Sequence, residues 1–372
     1  MNAVFPFGFP TPTAFYLSLY VLTFVLHHVF MHYVLAGSLY VAWTTIWPGR
    51  DTLARAEQPL AATLRDWMPF LLSAAITVGV APLLFIQIVY QDQFYTANLL
   101  LWWRWMVVVP VLIVAFYLLY LVKSKMLWNW PYPVRMAVTV GTSACFVFVG
   151  FCWTANSLLA SSGQNWPDVY ATGRLPFTTS AMISRMLIWI GGSFATMSAI
   201  VGWQLFYLQR RFERQQFSEN AGPVADTRGS VPTLARLTGG GLVVALLAGI
   251  AYLAQCDAQS RSIVFGSLIL PYILLAIVGT VVLGIGWTRQ WRSRQFSFVG
   301  MMTVTTGVAL NLIAAAVIRE GLRLRAIDIG TLAQKHADAA TVGGFGVFVV
   351  AAIIVSVLIA WCIRLVQTGL RA

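Results

Sequence analysis

A chain of 372 residues in which 59% are hydrophobic and only 10% charged is not a water-soluble globule, where about a quarter of residues carry charge. Lipid must solvate most of it. The formal net charge of +12 would suggest nucleic acid in a soluble protein. Here the basic residues sit between apolar runs and report topology, so no nucleic-acid partner is expected.

The opening MNAVFPFGFPTPT has neither a basic n-region nor a small-residue cleavage site, so no signal peptide is read. Runs long enough to cross about 30 Å of hydrocarbon are predicted at 14–43, 67–91, 97–122, 135–160, 179–208, 233–255, 263–287, 296–318 and 342–366. Proline interrupts the second at Pro82, the third at Pro110 and the seventh at Pro271, which membrane helices tolerate. No internal repeat is visible. The expected fold is therefore all-α: one integral membrane domain, residues 1–372, a nine-transmembrane-helix bundle.

The loops after the first, third, fifth and seventh runs, with the C-terminal tail, carry most of the 24 lysines and arginines. Arg50, Arg65, Lys123, Arg210, Arg289 and Arg292 are among them. The positive-inside rule then puts the N-terminus outside and the C-terminus in the cytoplasm, in a cell inner membrane. Trp102, Trp103 and Trp105 on one side, with Trp128, Trp130, Trp287 and Trp291 on the other, read as interfacial belts. The basic, then Ser/Asn/Gly-rich loop from Gln209 to Pro232 reads as a flexible connector.

Three of the four histidines fall in the first run, in FVLHHVFMHYVLAG: His27, His28 and His32. His28 and His32 are four apart and share a helix face, while His27 points about 100° away. The fourth, His336, lies in a polar stretch read as a loop. Ionisable groups at membrane depth mark function by default, although neutral imidazoles bonded to neighbouring helices are the plainer alternative. No carboxylate or thiolate is evident at that depth, so a zinc-type site on His28 and His32 is not expected. The cysteines Cys145, Cys152, Cys256 and Cys362 form no CxxC or CxxCH, so covalently attached c-type haem is not expected either. Cys145 and Cys152 read as packing residues.

Polar groups gather toward the outer side. Arg104 and Arg185 each fall about two turns into a predicted span, Gln87 and Asp92 at the end of the second, and Arg319, Glu320 and Arg323 in IREGLRLR at the end of the eighth. Burying an arginine costs about 2.5–3.5 kcal/mol on insertion scales, so Arg104 and Arg185 should face a partner, with Glu320 or Asp92 as counter-ion, or else reach the interface. A shared outward chamber of this composition suits a quinone head group, a haem propionate cluster or the docking of an outer partner.

These residues resemble subunit I of the cytochrome bd quinol oxidases, in degenerate form and lacking most haem ligands. LTFVLHHVF looks like the family segment bearing an axial haem histidine, which places that position at His27. GVAPLLFIQ is similar to the family's GVA motif, with Gln87 where the family has a glutamate. REGLR resembles the E-x-x-R signature, giving Glu320 and Arg323. The resemblance is fullest over the first two runs. At the family's helix-five histidine this chain offers Arg185 or Ile188, in SRMLIWIGG, and Met301 and Met302 are the available methionines. The quinol loop is reduced to QCDAQSR. An intact oxygen reductase is not expected.

The resemblance thus implies a membrane subunit of a respiratory electron-transfer complex that binds quinol or quinone near the outer leaflet. Arg104, Arg185 and Gln87 would orient the head group, with His28 and Arg323 beside it. Glu320 would accept a proton or contact haem. His27 would either ligate the iron of a single haem b or accept a proton from the quinol. The expected partners are other subunits of a membrane complex, a c-type or multihaem cytochrome on the outer side, and lipid. The alternative is a haem-free anchor subunit; a transporter or proton channel would need buried acidic pairs or a repeat.

Overall fold

The computed structural model describes residues 4–47, 59–175, 179–215, 229–324 and 329–341, with scattered positions between 346 and 364. Among them the architecture is all-helical, and eight helices are long and apolar enough to cross a membrane. The ninth predicted span, 342–366, falls largely outside the described residues.

α1 (Thr11–Ile46) opens with Pro12 in its first turn, where the missing amide proton costs nothing. At about 54 Å it outreaches the bilayer core. α2 (Pro59–Val89) runs unbroken through Pro69 and Pro82, so Pro82 does not interrupt it. The predicted third span proves to be two elements. α3 (Gln91–Leu101) ends at Trp102, whose φ of 53° breaks the helical path. One turn, Trp103–Met106, then leads into α4 (Val108–Lys123), with Pro110 in the first turn of that helix.

α5 (Tyr132–Ala160) is followed by α6 (Thr179–Gln215), α7 (Ser230–Gln255) and a short α8 (Ala258–Val264). α9 (Leu270–Ser293) begins with Pro271 in its first turn, so this proline starts a helix that the sequence placed earlier. α10 (Phe298–Leu324) carries the IREGL stretch inside its last turns. α11 (Ile329–Thr341) holds His336, so that stretch is helix rather than loop. The connector after Gln209 stays helical to Gln215, and 216–228 lies outside the described residues.

The helices pair as α1 with α2, α6 with α7 and α9 with α10, and α1 also meets α5, α6, α10 and α11. It is the central post. In the α6–α7 pair, Gly191 and Gly241 face each other so closely that a β-carbon on either would meet the carbonyl oxygen of the other. Small residues set helix approach in membranes, where lipid gives no hydrophobic incentive to associate. Exposed Leu, Ile, Val and Phe cover the outer faces of the bundle, as expected for side chains that meet lipid.

Two main cores divide the interior by depth. One, built on Tyr33, Leu64, Met68, Leu205, Trp287 and Met301, fills the end where α1 finishes. The other, built on Phe5, Tyr16, Tyr20, Tyr90, Phe94 and Val317, fills the end where the chain begins. This corrects part of the belt reading. Trp287 is buried, and Trp105 is half-buried, its ring 4.9 Å from that of Trp153. Trp102 and Trp103 stay exposed.

Candidate functional site

The core at the N-terminal end is aromatic at its edge and ionic at its centre. Glu320, on the last turns of α10, is 0% exposed, and Arg323, one turn further, is 4% exposed. They form an ion pair at 3.8 Å, too long for a hydrogen bond. Tyr90, at the corner between α2 and α3, donates its hydroxyl proton to the other oxygen of Glu320. Arg323 donates to the Tyr20 hydroxyl at 3.0 Å and to Ser157 Oγ at 3.3 Å, and lies over the Tyr90 ring. Arg319 donates to the same Tyr20 oxygen at 3.1 Å and sits 4.5 Å above the Phe24 ring. α1, α5, α10 and the α2–α3 corner thus meet at the Glu320–Arg323 pair.

Two buried atoms of the pair have no hydrogen-bond partner among the described residues: Glu320 Oε2, an acceptor, and Arg323 Nε, a donor. An orphaned polar group costs about 1–3 kcal/mol, more when charged. Charge is unbalanced too. Arg323 pairs with Glu320, Arg319 stands one residue before that carboxylate on the Tyr20 hydroxyl, and Arg185 lies within electrostatic range of both arginines. In low dielectric that surplus favours an electron-rich or anionic guest.

A column of rings descends from this cluster along one face of α1. Tyr16, Tyr20, Phe24, His28 and His32 recur every fourth residue, which stacks side chains on a helix. Phe24 lies 3.9 Å from the His28 ring and 5.8 Å from Trp189 of α6, and Trp189 lies 4.4 Å from His28. His28 Nδ1 meets the Phe24 carbonyl at 2.7 Å. His32 Nδ1 meets Thr196 Oγ1 of α6 at 3.1 Å, and its buried Nε2 has no partner among the described residues. His27 faces elsewhere, as its 100° offset requires. Its Nδ1 lies 2.9 Å from the Ala75 carbonyl of α2. A carbonyl only accepts, so Nδ1 carries the proton and Nε2 is the basic nitrogen.

The residues singled out in the sequence therefore separate. Glu320 and Arg323 come together, with Arg185 nearby on α6, its guanidinium 5.3 Å from the Tyr252 ring. Gln87 is half-buried one turn before Tyr90. Arg104 is not brought in: it lies in the turn before α4, over the ring of Trp103, and its carbonyl accepts from the Cys152 thiol. Asp92 bonds Lys335 at 2.8 Å on the surface, so it is not the counter-ion of either arginine. His28 stands below the cluster and joins it through Phe24, while the His27 ring lies 5.5 Å from the His28 ring and turns toward α2. Sequence reasoning passed over Tyr20, Tyr90, Ser157 and Trp189. The four-residue recurrence extending up from His28 carried the signal for Tyr20, whereas nothing local marks Ser157.

The donor set fits a haem poorly. The His28 ring has Phe24 and Trp189 close against it, and the His27 ring is pressed so near α2 that a β-carbon at Gly79 would come within 2.8 Å of its Nδ1. Met301 lies 19 residues before Glu320 on α10, about 28 Å along the axis, in the other core, and Met302 is exposed. The Glu320–Arg323 pair instead offers an unpartnered acceptor and an unpartnered donor beside aromatic rings. Comparison with models of known families, with curated proteins and with solved structures finds no match.

Proposed function

We propose that this chain is a membrane subunit of an electron-transfer complex and that the Glu320–Arg323 cluster receives the head group of a quinol or quinone. The observation that carries this reading is the pair of orphaned atoms, Glu320 Oε2 and Arg323 Nε, buried side by side and ringed by Tyr20, Tyr90 and Phe24. A quinol supplies two electrons and two protons when oxidised. Glu320 Oε2 accepts one of those protons, with Tyr90 and Arg323 holding the carboxylate in place to do so, and the second proton passes to water at this end of the bundle. Arg323 Nε donates to a carbonyl oxygen, and Arg319 and Arg185 favour electron density between them. Electrons leave to a partner cytochrome docked at this end of the bundle.

A second reading is favoured by the completeness of the other contacts. Tyr20, Ser157 and Tyr90 tie α1, α5 and the α2–α3 corner to α10, which is what a haem-free anchor subunit needs. One experiment separates the two. The full chain, purified in mild detergent, is assayed for extractable quinone and haem and for a reduced-minus-oxidised spectrum. Quinone near one per chain, lost in Glu320→Gln, supports the first reading; neither group, with complex assembly retained, supports the anchor. Haem b lost in His27→Ala would overturn the quinone-only assignment.

A further inference from the structure

At the far end of the bundle, a groove of about 430 Å³ runs between α7 and α9. Thr238 and Gly239 form one wall, and Gly284, Trp287, Thr288 and Arg292 the other. A second hollow, around the same stripe of α9, adds Arg289 and Ser293. None of the residues lining either is acidic. Arg236 of α7 extends this basic end, its guanidinium 5.2 Å from the Trp291 ring.

The chemistry of the groove changes with depth in a fixed order. Gly284, Thr288 and Arg292 are each four apart and stand one above another on α9. Farthest from the arginine-rich end, the exposed Gly239 and Gly284 leave open space. One turn nearer the end are hydroxyl and indole groups, and a turn beyond them are guanidinium groups. Two of the middle groups are buried with no hydrogen-bond partner among the described residues: Trp287 Nε1, on a side chain 3% exposed, and Thr238 Oγ1, 2% exposed. Apolar space, then donors, then cations over about 12 Å is the order of acyl chain, ester and phosphate in a phospholipid.

We infer that this groove binds an anionic phospholipid of the leaflet at the arginine-rich end. Its acyl chain lies along Gly239 and Gly284. Its ester oxygens accept from the exposed Thr288 hydroxyl, which lines both hollows. Its phosphate sits on Arg292 and Arg289. Basic pockets between spans at the cytoplasmic surface take lipid head groups by this logic, and the surplus of arginine at this end supplies the charge complement. The site is remote from the Glu320 cluster and independent of what that cluster binds.

The test is native mass spectrometry of the full chain titrated with dioleoylphosphatidylglycerol or dioleoylphosphatidylcholine. The wild type should retain phosphatidylglycerol in preference, and the preference should fall roughly fivefold with Arg292→Gln and further with Arg289→Gln added, at about one arginine's worth of surface attraction each. Gly284→Leu fills the groove from an exposed position with nothing within 4 Å of its added β-carbon, so it should fold and lose both lipids. Equal retention of the two lipids, or a preference untouched by the double arginine variant, overturns the assignment. So does competition by inorganic phosphate alone. A lipid-independent dimer abolished by Gly284→Leu would give the groove to a second copy of the chain instead.

Discussion

Arg323→Met offers the sharpest stability test of the buried cluster. Arg323 is 4% exposed and is the ion-pair partner of a carboxylate that water does not reach. Methionine keeps much of the volume and deletes the charge, so Glu320 is left with the Tyr90 hydroxyl alone. Removing one member of a buried pair costs about 3–5 kcal/mol, most of it from the stranded charge. Adding Glu320→Gln removes that stranded charge, so the double variant should recover most of the loss. Arg319→Met is the internal control. Arg319 donates to the same Tyr20 oxygen but is only partly buried, and its loss should cost about 1 kcal/mol. Equilibrium unfolding in mixed detergent and dodecyl sulfate, followed by tryptophan fluorescence, reads all four proteins. If Arg323→Met is no worse than Arg319→Met, or if the double variant is as unstable as the single, Glu320 and Arg323 are not a desolvated charged pair and the reasoning fails.

Other consequences follow from particular contacts. Tyr90→Phe deletes a hydrogen bond to a charged acceptor and should cost about 1.5–3 kcal/mol in the same assay, with quinone occupancy reduced in parallel. Gly79→Ala puts a β-carbon against the His27 ring and should break the bond to Ala75 and destabilise the α1–α2 pair by about 1–3 kcal/mol, while Gly284→Ala should be silent. His336 is buried against the Tyr16 ring at 5.2 Å, both ring nitrogens unpartnered among the described residues. Burial pushes its imidazole down from 6.5 to about 4. Between those values the unfolded segment takes up a proton that the docked one refuses. The docking of α11 therefore holds above about pH 6.5 and weakens as pH falls toward 4, by something on the order of 3 kcal/mol at most. Hydrogen exchange over 329–341, corrected for intrinsic rates, should show the loss, and His336→Leu should remove it.

Much of the bundle could be read directly from residue order, because long apolar runs have few other destinations. The errors fell where apolar character did not change but backbone geometry did. Residues 97–122 are continuous in hydropathy, yet Trp102 turns the chain with a positive φ and Pro110 starts a new helix rather than kinking an old one. The same holds at Pro271. For the site, Glu320 and Arg323 were legible because they are charges in an apolar context. Arg104 looked equivalent in the sequence, but the early end of α3 leaves it at a turn where Trp103 satisfies it. Tyr20 and Ser157 were hidden for a different reason. A tyrosine or serine in a membrane helix is unremarkable until another helix brings a guanidinium to it. The spacing of Tyr20, Phe24 and His28 was visible, whereas its meaning depended on Trp189 arriving from α6.

The most direct measurement is titration of the purified chain with a short-chain quinone, followed by quenching of tryptophan fluorescence from residues such as Trp189. Saturable quenching is expected in the wild type. It should weaken about tenfold or more in Glu320→Gln and in Tyr20→Phe, and stay unchanged in Arg104→Gln. Quenching that never saturates, or that Arg104→Gln weakens as much as Glu320→Gln, would contradict the assignment of the Glu320 cluster as a quinone site.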